Sequence, residues 1–399
     1  MGTALRIRHD VAVVGARAGG AATAMLLARM GHDVVVLDRA TFPSDTLSTH
    51  SIARSGVVQL RRWGLLDDVL ASGAPAIRQV TFHTADGPDT RPVKERAGVD
   101  LLVAPRRHVL DTIVARAAVD AGATLLAGTT VTGLRRDVTG RVVGLDARDA
   151  GGRAVEVDAR VVVGADGLHS PVARWVGAPV VDARPTDSAA HYAYFAGPAW
   201  PGIEFFPGER ALSGIFPTHG GEACIWVCVP AGVSLAARRD APDTATWFET
   251  LVGRVAPALA ERLVPARRTS PVRGSVRLPN QVRQAWGQGW ALVGDALYHR
   301  DPITGHGISD AYRDADLLAT ALDESLWSGR PLAAALDDYR RQADDARREI
   351  FAITSALAAY PPQDEFTALQ RRLAAAIEAE AAALADRPAP TDRRSLAVA

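Results

Sequence analysis

The residues best equipped for chemistry begin at Gly15-Ala16-Arg17-Ala18-Gly19-Gly20, between a β-branched run at 11–14 and a helical stretch at 21–30. A glycine turn between strand and helix lets backbone approach a diphosphate, whose charge is favoured by the unpaired N–H groups and dipole of the helix N-terminus. Gly15 permits the tight turn and Gly20 lets helix and strand pack closely. Arg17 stands where the pattern has a glycine, so its side chain either points outward or itself contacts the diphosphate. Asp38 ends a second run at 33–37, about 20 residues on, where a carboxylate accepts from adenosine ribose hydroxyls and disfavours a 2'-phosphate. Arg39 adjoins it and is counted with the same set. A dinucleotide is the expected ligand, and this pattern alone does not separate NAD from FAD.

Two later segments decide between them. Val163-Gly164-Ala165-Asp166-Gly167-Leu168-His169-Ser170, with Arg174 beyond, comes first, and then Gly294-Asp295-Ala296 followed by Pro302, Gly305 and Gly307. In this order the three segments resemble the class A flavoprotein monooxygenases, the superfamily of para-hydroxybenzoate hydroxylases, geranylgeranyl reductases and flavin-dependent halogenases, over residues 10–340. The resemblance implies FAD as cofactor, NADPH or NADH as electron donor, and O2 with a small-molecule substrate. It places Asp166 and Gly167 near the cofactor, assisting the nicotinamide; a tight turn supporting the sheet is the alternative. Asp295, ending an apolar strand, suits a hydrogen bond to a ribityl hydroxyl or a structural cap. Pro302 to Gly307 precede a helix whose positive end would favour negative charge on a reduced flavin. Of the doublet Arg106-Arg107, Arg107 keeps the family's four-residue offset to Asp111 and is preferred as the FAD-contacting arginine.

Two histidines are candidates for the reaction itself. The polar loop 42–50 ends at His50 and, in the superfamily, passes the flavin; alternatively Asp45, Ser48 or Thr49 caps the next helix, with His50 in its first turn. His306 lies between two motif glycines, near the flavin by position. Tyr298 and His299 replace the commonest family residues after Gly294-Asp295-Ala296. Halogenation is disfavoured, because the stretch 212–217 lacks the halogenase tryptophans and the single lysine, Lys94, sits in an Arg/Glu-rich loop. The expected activity is hydroxylation of an aromatic or polyketide-like molecule. A reductase of geranylgeranyl reductase type and a non-catalytic flavin-binding protein are the alternatives.

These groups need a scaffold of matching size. A chain of 399 residues, 48% hydrophobic, buries a large core. Lys+Arg and Asp+Glu both number 45, so no broad basic surface for nucleic acid is expected. Two cysteines, Cys224 and Cys228, lie too far apart along one strand to pair, and no Cys/His spacing suggests a metal. No apolar run reaches about 18 residues, so no membrane span is expected and a cytoplasmic location is the default. The order of elements predicts an α/β fold: a Rossmann-like FAD-binding domain (1–72, 104–181 and 286–340) interleaved with an antiparallel-sheet substrate domain (73–103 and 182–285). Helices and a disordered tail follow at 341–399, the tail starting beyond Asp386. A hairpin is expected at 77–93, with Asp86-Gly87 at its turn, and the whole of 182–285 reads as sheet.

Overall fold

The computed structural model describes residues 5–84, 86–388 and 393. The β-branched runs pair in parallel at the centre of an eight-stranded sheet, ordered Trp286–Gly287, Trp290–Leu292, Ala154–Gly164, Leu5–Val14, Val34–Asp38 and Thr124–Ala127. Val11 to Val13, Val34 to Leu37 and Val161 to Val163 are all buried. Such unbroken apolar runs are what a parallel sheet covered on both faces requires. The hairpin Thr130–Arg136 and Val142–Arg148 extends this sheet by pairing antiparallel with the first half of Ala154–Gly164.

The second sheet runs Arg267–Arg268, Ser188–Ala196, Glu222–Pro230, Ala211–Pro217, Ile203–Gly208, Gln79–Thr84 and Gly87–Pro92, with Arg273–Val276 also on Ser188–Ala196. Its pairings are antiparallel except that Ile203–Gly208 lies parallel to Gln79–Thr84. The expected hairpin is thus present, as the edge of this sheet. Alternation of period two divides its side chains between two apolar clusters. Phe195, Ile215, Ile225 and Val227 face one way, while Tyr192, Tyr194, Cys224, Trp226 and Cys228 face the other. Cys224 and Cys228 are free, buried thiols.

The segment 182–285 departs from an all-sheet reading, because Ala231–Asp240, Thr244–Val255 and Pro257–Leu263 are helices. Their local signals are present in the residues. Asp243 accepts from the N–H groups of Ala245 (2.8 Å) and Thr246 (2.9 Å), Pro257 stands at a helix start, and Trp247, Phe248, Leu251 and Val252 form a stripe of helical spacing. That stripe covers the Phe195/Ile225 face.

The opposite, aromatic face is covered by Ile353 and Leu357 of the Leu332–Leu357 helix and by Phe366 and Leu369 of Gln363–Ala385. Gly307–Leu326 precedes this helical pair, so the chain from Ser309 onward is helical as the periodicity suggests. A small third sheet, Tyr298–His299, Asn280–Arg283 and Val180–Arg184, ties together the segments passing between the large sheets. The tail expected beyond Asp386 lies, apart from residues 387, 388 and 393, outside the described residues. Among the described residues no helix is long and apolar enough to cross a membrane.

Candidate functional site

Gly15 has φ +101°, and a Cβ there would lie 2.4 Å from the Ala165 carbonyl oxygen. At Gly20 a Cβ would lie 1.9 Å from the Gly15 carbonyl oxygen. Neither position admits a side chain without prising the turn from the Ala165 backbone or from its own helix. Gly19 faces Gly294 and the Ala311 Cβ at 3.7 Å. Three segments far apart in sequence therefore meet at the N-terminus of the Ala18–Arg29 helix, whose first turn carries no acidic residue.

Asp38 is buried, accepting from Ala16 N–H (2.7 Å) and Ala40 N–H (2.8 Å), while Arg39 beside it is exposed. Ala16 and Ala18 are buried in the loop between. The Arg17 side chain turns towards the loop 42–50 and Asp111. Nη1 donates to Asp111 Oδ2 (2.9 Å) and the Ser44 carbonyl (3.2 Å), and Nη2 donates to Ser44 Oγ (3.0 Å). Arg17 thereby pins the loop 42–50 to the glycine turn. Asp111 is shared, since Arg107 Nε donates to its other oxygen at 3.0 Å. Burial opposes the charge on Arg107, but the Asp111 carboxylate outweighs it and raises the guanidinium pKa.

The doublet divides, Arg107 staying on its own helix with Asp111 while Arg106 turns to the second sheet. Arg106 reaches Asp45 (2.9 Å) and Glu222 (3.3 Å) and lies 3.7 Å from the Tyr194 ring centroid. The backbone before the Arg107–Asp120 helix is anchored to the second sheet, where Thr218 Oγ1 donates to the Ala104 carbonyl at 2.7 Å.

Asp166 accepts from Ser170 Oγ and Val172 N–H and so holds the start of the Pro171–Trp175 helix. Burial raises its pKa, with those hydrogen bonds pulling the other way. Gly167 has φ +82° and open space at its Cβ position. Asp295 is exposed in the single turn Gly294–Ala296. After Pro302–Thr304, Gly305 (φ +61°) and Gly307 also have open space where a Cβ would stand, and Gly307 begins a 20-residue helix.

His50 and His306 have different surroundings. His50 has φ +67° and is fully buried, stacked on Tyr194 at 5.4 Å and edge-on to Tyr192 at 6.1 Å. Both its ring nitrogens lack partners. Burial drives its pKa well below the usual value; Asp45 opposes this, and Arg107 and Arg106 add to it. The imidazole is neutral at pH 7. A non-glycine residue at positive φ is a strained conformation of the kind that collects at functional sites. The following helix, Arg54–Arg62, has Ala53 at its N-cap, so no side chain of the loop caps it. His306 is instead committed to Glu380 of the last helix, Nε2 to Oε2 2.6 Å. Ligand atoms of His306, Asp310 and Glu380 lie within 4.8 Å of one another. Arg313 binds Asp310 and Glu380 (2.8 Å each), and Arg300 binds Asp310 (2.7 Å), so guanidinium groups already supply the positive charge there.

Periodicity has no signal for Asp45, Glu222, Tyr194 or Glu380, because each acts through a partner on another element. The donor set along the groove fits FAD: a glycine turn and helix N-terminus for the diphosphate, Asp38 for the ribose, Asp295 for a ribityl hydroxyl, and a second helix start beyond Gly305.

Fold and site together define an FAD-dependent oxidoreductase. Residues 8–353 match the FAD binding domain family, and the chain belongs to it. It is 27% identical over 342 residues to the digeranylgeranylglycerophospholipid reductase of Methanothrix thermoacetophila, covering 84% of this chain and 83% of the relative. It is 28% identical over 366 residues to the kynurenine 3-monooxygenase of Salinispora arenicola, covering 84% and 76%. The crystal structure of P. aeruginosa PqsL in complex with 2-aminobenzoylacetate is similar with a TM-score of 0.75 and 25% identity, over 93% of this chain and 100% of that one.

Proposed function

We propose that this flavoprotein is a monooxygenase that takes electrons from NADPH or NADH and inserts one oxygen atom of O2 into an aromatic or polyketide-like small molecule. When bound, the flavin supplies the redox chemistry and the activation of O2. The chain's residues hold and shield the reactants. The glycine turn and the first helix N-terminus hold the diphosphate, Arg17 and Arg107 brace Asp111 and the loop 42–50 beside it, Asp38 and Asp295 orient the sugar hydroxyls, and the helix at Gly307 favours negative charge at its end. Asp166 and Gly167 shape the wall beside the groove.

The observation that carries the substrate side is the aromatic face itself. Tyr192, Tyr194, Phe216 and Trp226 form one apolar cluster, closed from the far side by the C-terminal helices and met by His50 from the flavin-side loop. A dry, aromatic wall of that kind positions a planar ring and excludes water. Lys94 is exposed just past Gly87–Pro92, a poor place to guide a halogenating species. The FAD-loaded protein is expected to bleach with NADPH or NADH without oxygen and to recover in air. Product formed under 18O2 should carry the label; unlabelled product under strict anaerobiosis would replace oxygen insertion with reduction of a carbon–carbon double bond.

A further inference from the structure

One stretch of the aromatic face carries buried polar side-chain atoms that no described residue partners. Gly214 pairs with Trp226 across the sheet, and a Cβ at Gly214 would lie 2.5 Å from Trp226 Cζ2. The indole therefore lies flat over the glycine, a floor that any larger residue would lift. Phe216 and Phe205 stand beside it, with ring centroids at 5.2 and 6.0 Å. Tyr192 is the cross-strand partner of Trp226, and Tyr194 is the partner of Cys224. His50 stacks on Tyr194 from the loop side.

Polar atoms on this wall are orphaned together. His50 Nδ1 and Nε2, Tyr194 OH and Trp226 Nε1 are all buried with no hydrogen-bond partner among the described residues. Native proteins rarely leave such groups unpaired, and the imidazole nitrogens beside the Tyr194 ring, with Trp226 on the same face of the sheet, mark a position that a ligand completes. A neutral imidazole offers one acceptor and one donor, and a phenol offers both.

The charges around this wall limit what the ligand can be. Arg106, the guanidinium against the Tyr194 ring, is engaged by two carboxylates, Asp45 and Glu222. Burial would raise the pKa of Asp45, but the Arg106 hydrogen bond and charge, with His50 and the Thr46 N–H, together outweigh it and hold the carboxyl below its usual range. Arg107 and Arg17 are both spent on Asp111. An anionic ring acid would thus enter beside two carboxylates that share one cation, with a neutral imidazole to receive it, and would pay for its own desolvation.

We propose that the substrate is an uncharged planar aromatic whose hydroxyl or carbonyl is hydrogen-bonded by His50 and Tyr194 over the Trp226 floor, and that aromatic carboxylates are excluded. This rests on the monooxygenase reading only for what happens to the ring after it binds.

The test is isothermal titration of the FAD-loaded, oxidised protein with 2-naphthol, naphthalene and 2-naphthoate at pH 7.5. 2-Naphthol is expected to bind about tenfold more tightly than naphthalene, the weight of a hydrogen bond that water would otherwise supply. 2-Naphthoate should bind more weakly than either. His50→Phe and Tyr194→Phe should each bring 2-naphthol towards naphthalene while leaving naphthalene affinity unchanged, and that unchanged affinity also shows that the variants are folded. Naphthoate binding as tightly as naphthol, no binding of naphthol, or naphthol affinity indifferent to both substitutions overturns the proposal. No turnover occurs in this experiment, so unlabelled product under 18O2 would remove oxygen insertion without touching the binding order, and the reverse holds equally.

Discussion

Replacing Glu380 by glutamine removes one carboxylate from a buried network that joins the last helix to the start of Gly307–Leu326. Its oxygens bind His306 at 2.6 Å and Arg313 at 2.8 Å, and its side chain is 8% exposed. Arg313 keeps Asp310 and Asp314, each at 2.8 Å, so it is not stranded. The loss should therefore fall at the low end of the range for breaking a buried pair, about 3 kcal/mol. Unfolding entropy of roughly 2.1 cal/mol/K per residue makes that a fall of about 4 °C in Tm for a chain this long. Acid provides the second axis. Burial opposes ionisation of Glu380, but the His306 charge and hydrogen bond, with Arg313, outweigh it and hold the carboxyl well below its usual range. A depressed folded-state pKa contributes stability that is complete above the unfolded value of about 4.3 and is lost as pH falls below it towards the folded value. Thermal unfolding of both proteins, FAD-loaded at equal FAD excess, should show the full gap at pH 7 and a narrowing gap as pH drops below about 4. An equal Tm at pH 7, or a gap that acid leaves unchanged, would refute the reasoning.

Gly20→Ala should weaken FAD binding roughly 10- to 100-fold, because its Cβ would stand 1.9 Å from the Gly15 carbonyl oxygen and overpacking costs about 1–3 kcal/mol; titration by flavin fluorescence quenching checks this, and an unchanged Kd would reject the close-packing account. Arg17→Gly restores the side-chain-free residue of the usual pattern but cuts the ties to Asp111 and Ser44. Faster hydrogen exchange confined to residues 42–50 is expected, with a stability loss of about 1–3 kcal/mol; exchange rates matching the parent protein would show that the arginine does not hold the loop.

What was legible in the residues is what depends on local order. The βαβ unit, its glycine turn, Asp38 and the C-terminal helices declare themselves through period and spacing, since each is a short segment acting with its sequence neighbours, and the two later motifs through their resemblance to a known family. The helices at 231–263 carried the same kind of signal, in Asp243, Pro257 and the Trp247 to Val252 stripe, and aromatic and Gly/Pro content on either side obscured it.

The two histidines mark the boundary. Sequence placed His50 and His306 alike beside the cofactor, but tertiary structure turned one onto the Tyr194 ring and bound the other to Glu380, 74 residues away. In the same way Arg106 reaches Glu222 on the second sheet, while its neighbour Arg107 binds Asp111 on its own helix. Motif spacing determines which backbone stands at the glycine turn, because strand, turn and helix have fixed dimensions. The direction of a side chain, and the charge it meets there, are decided by which distant elements pack against it, and no local spacing carries that information.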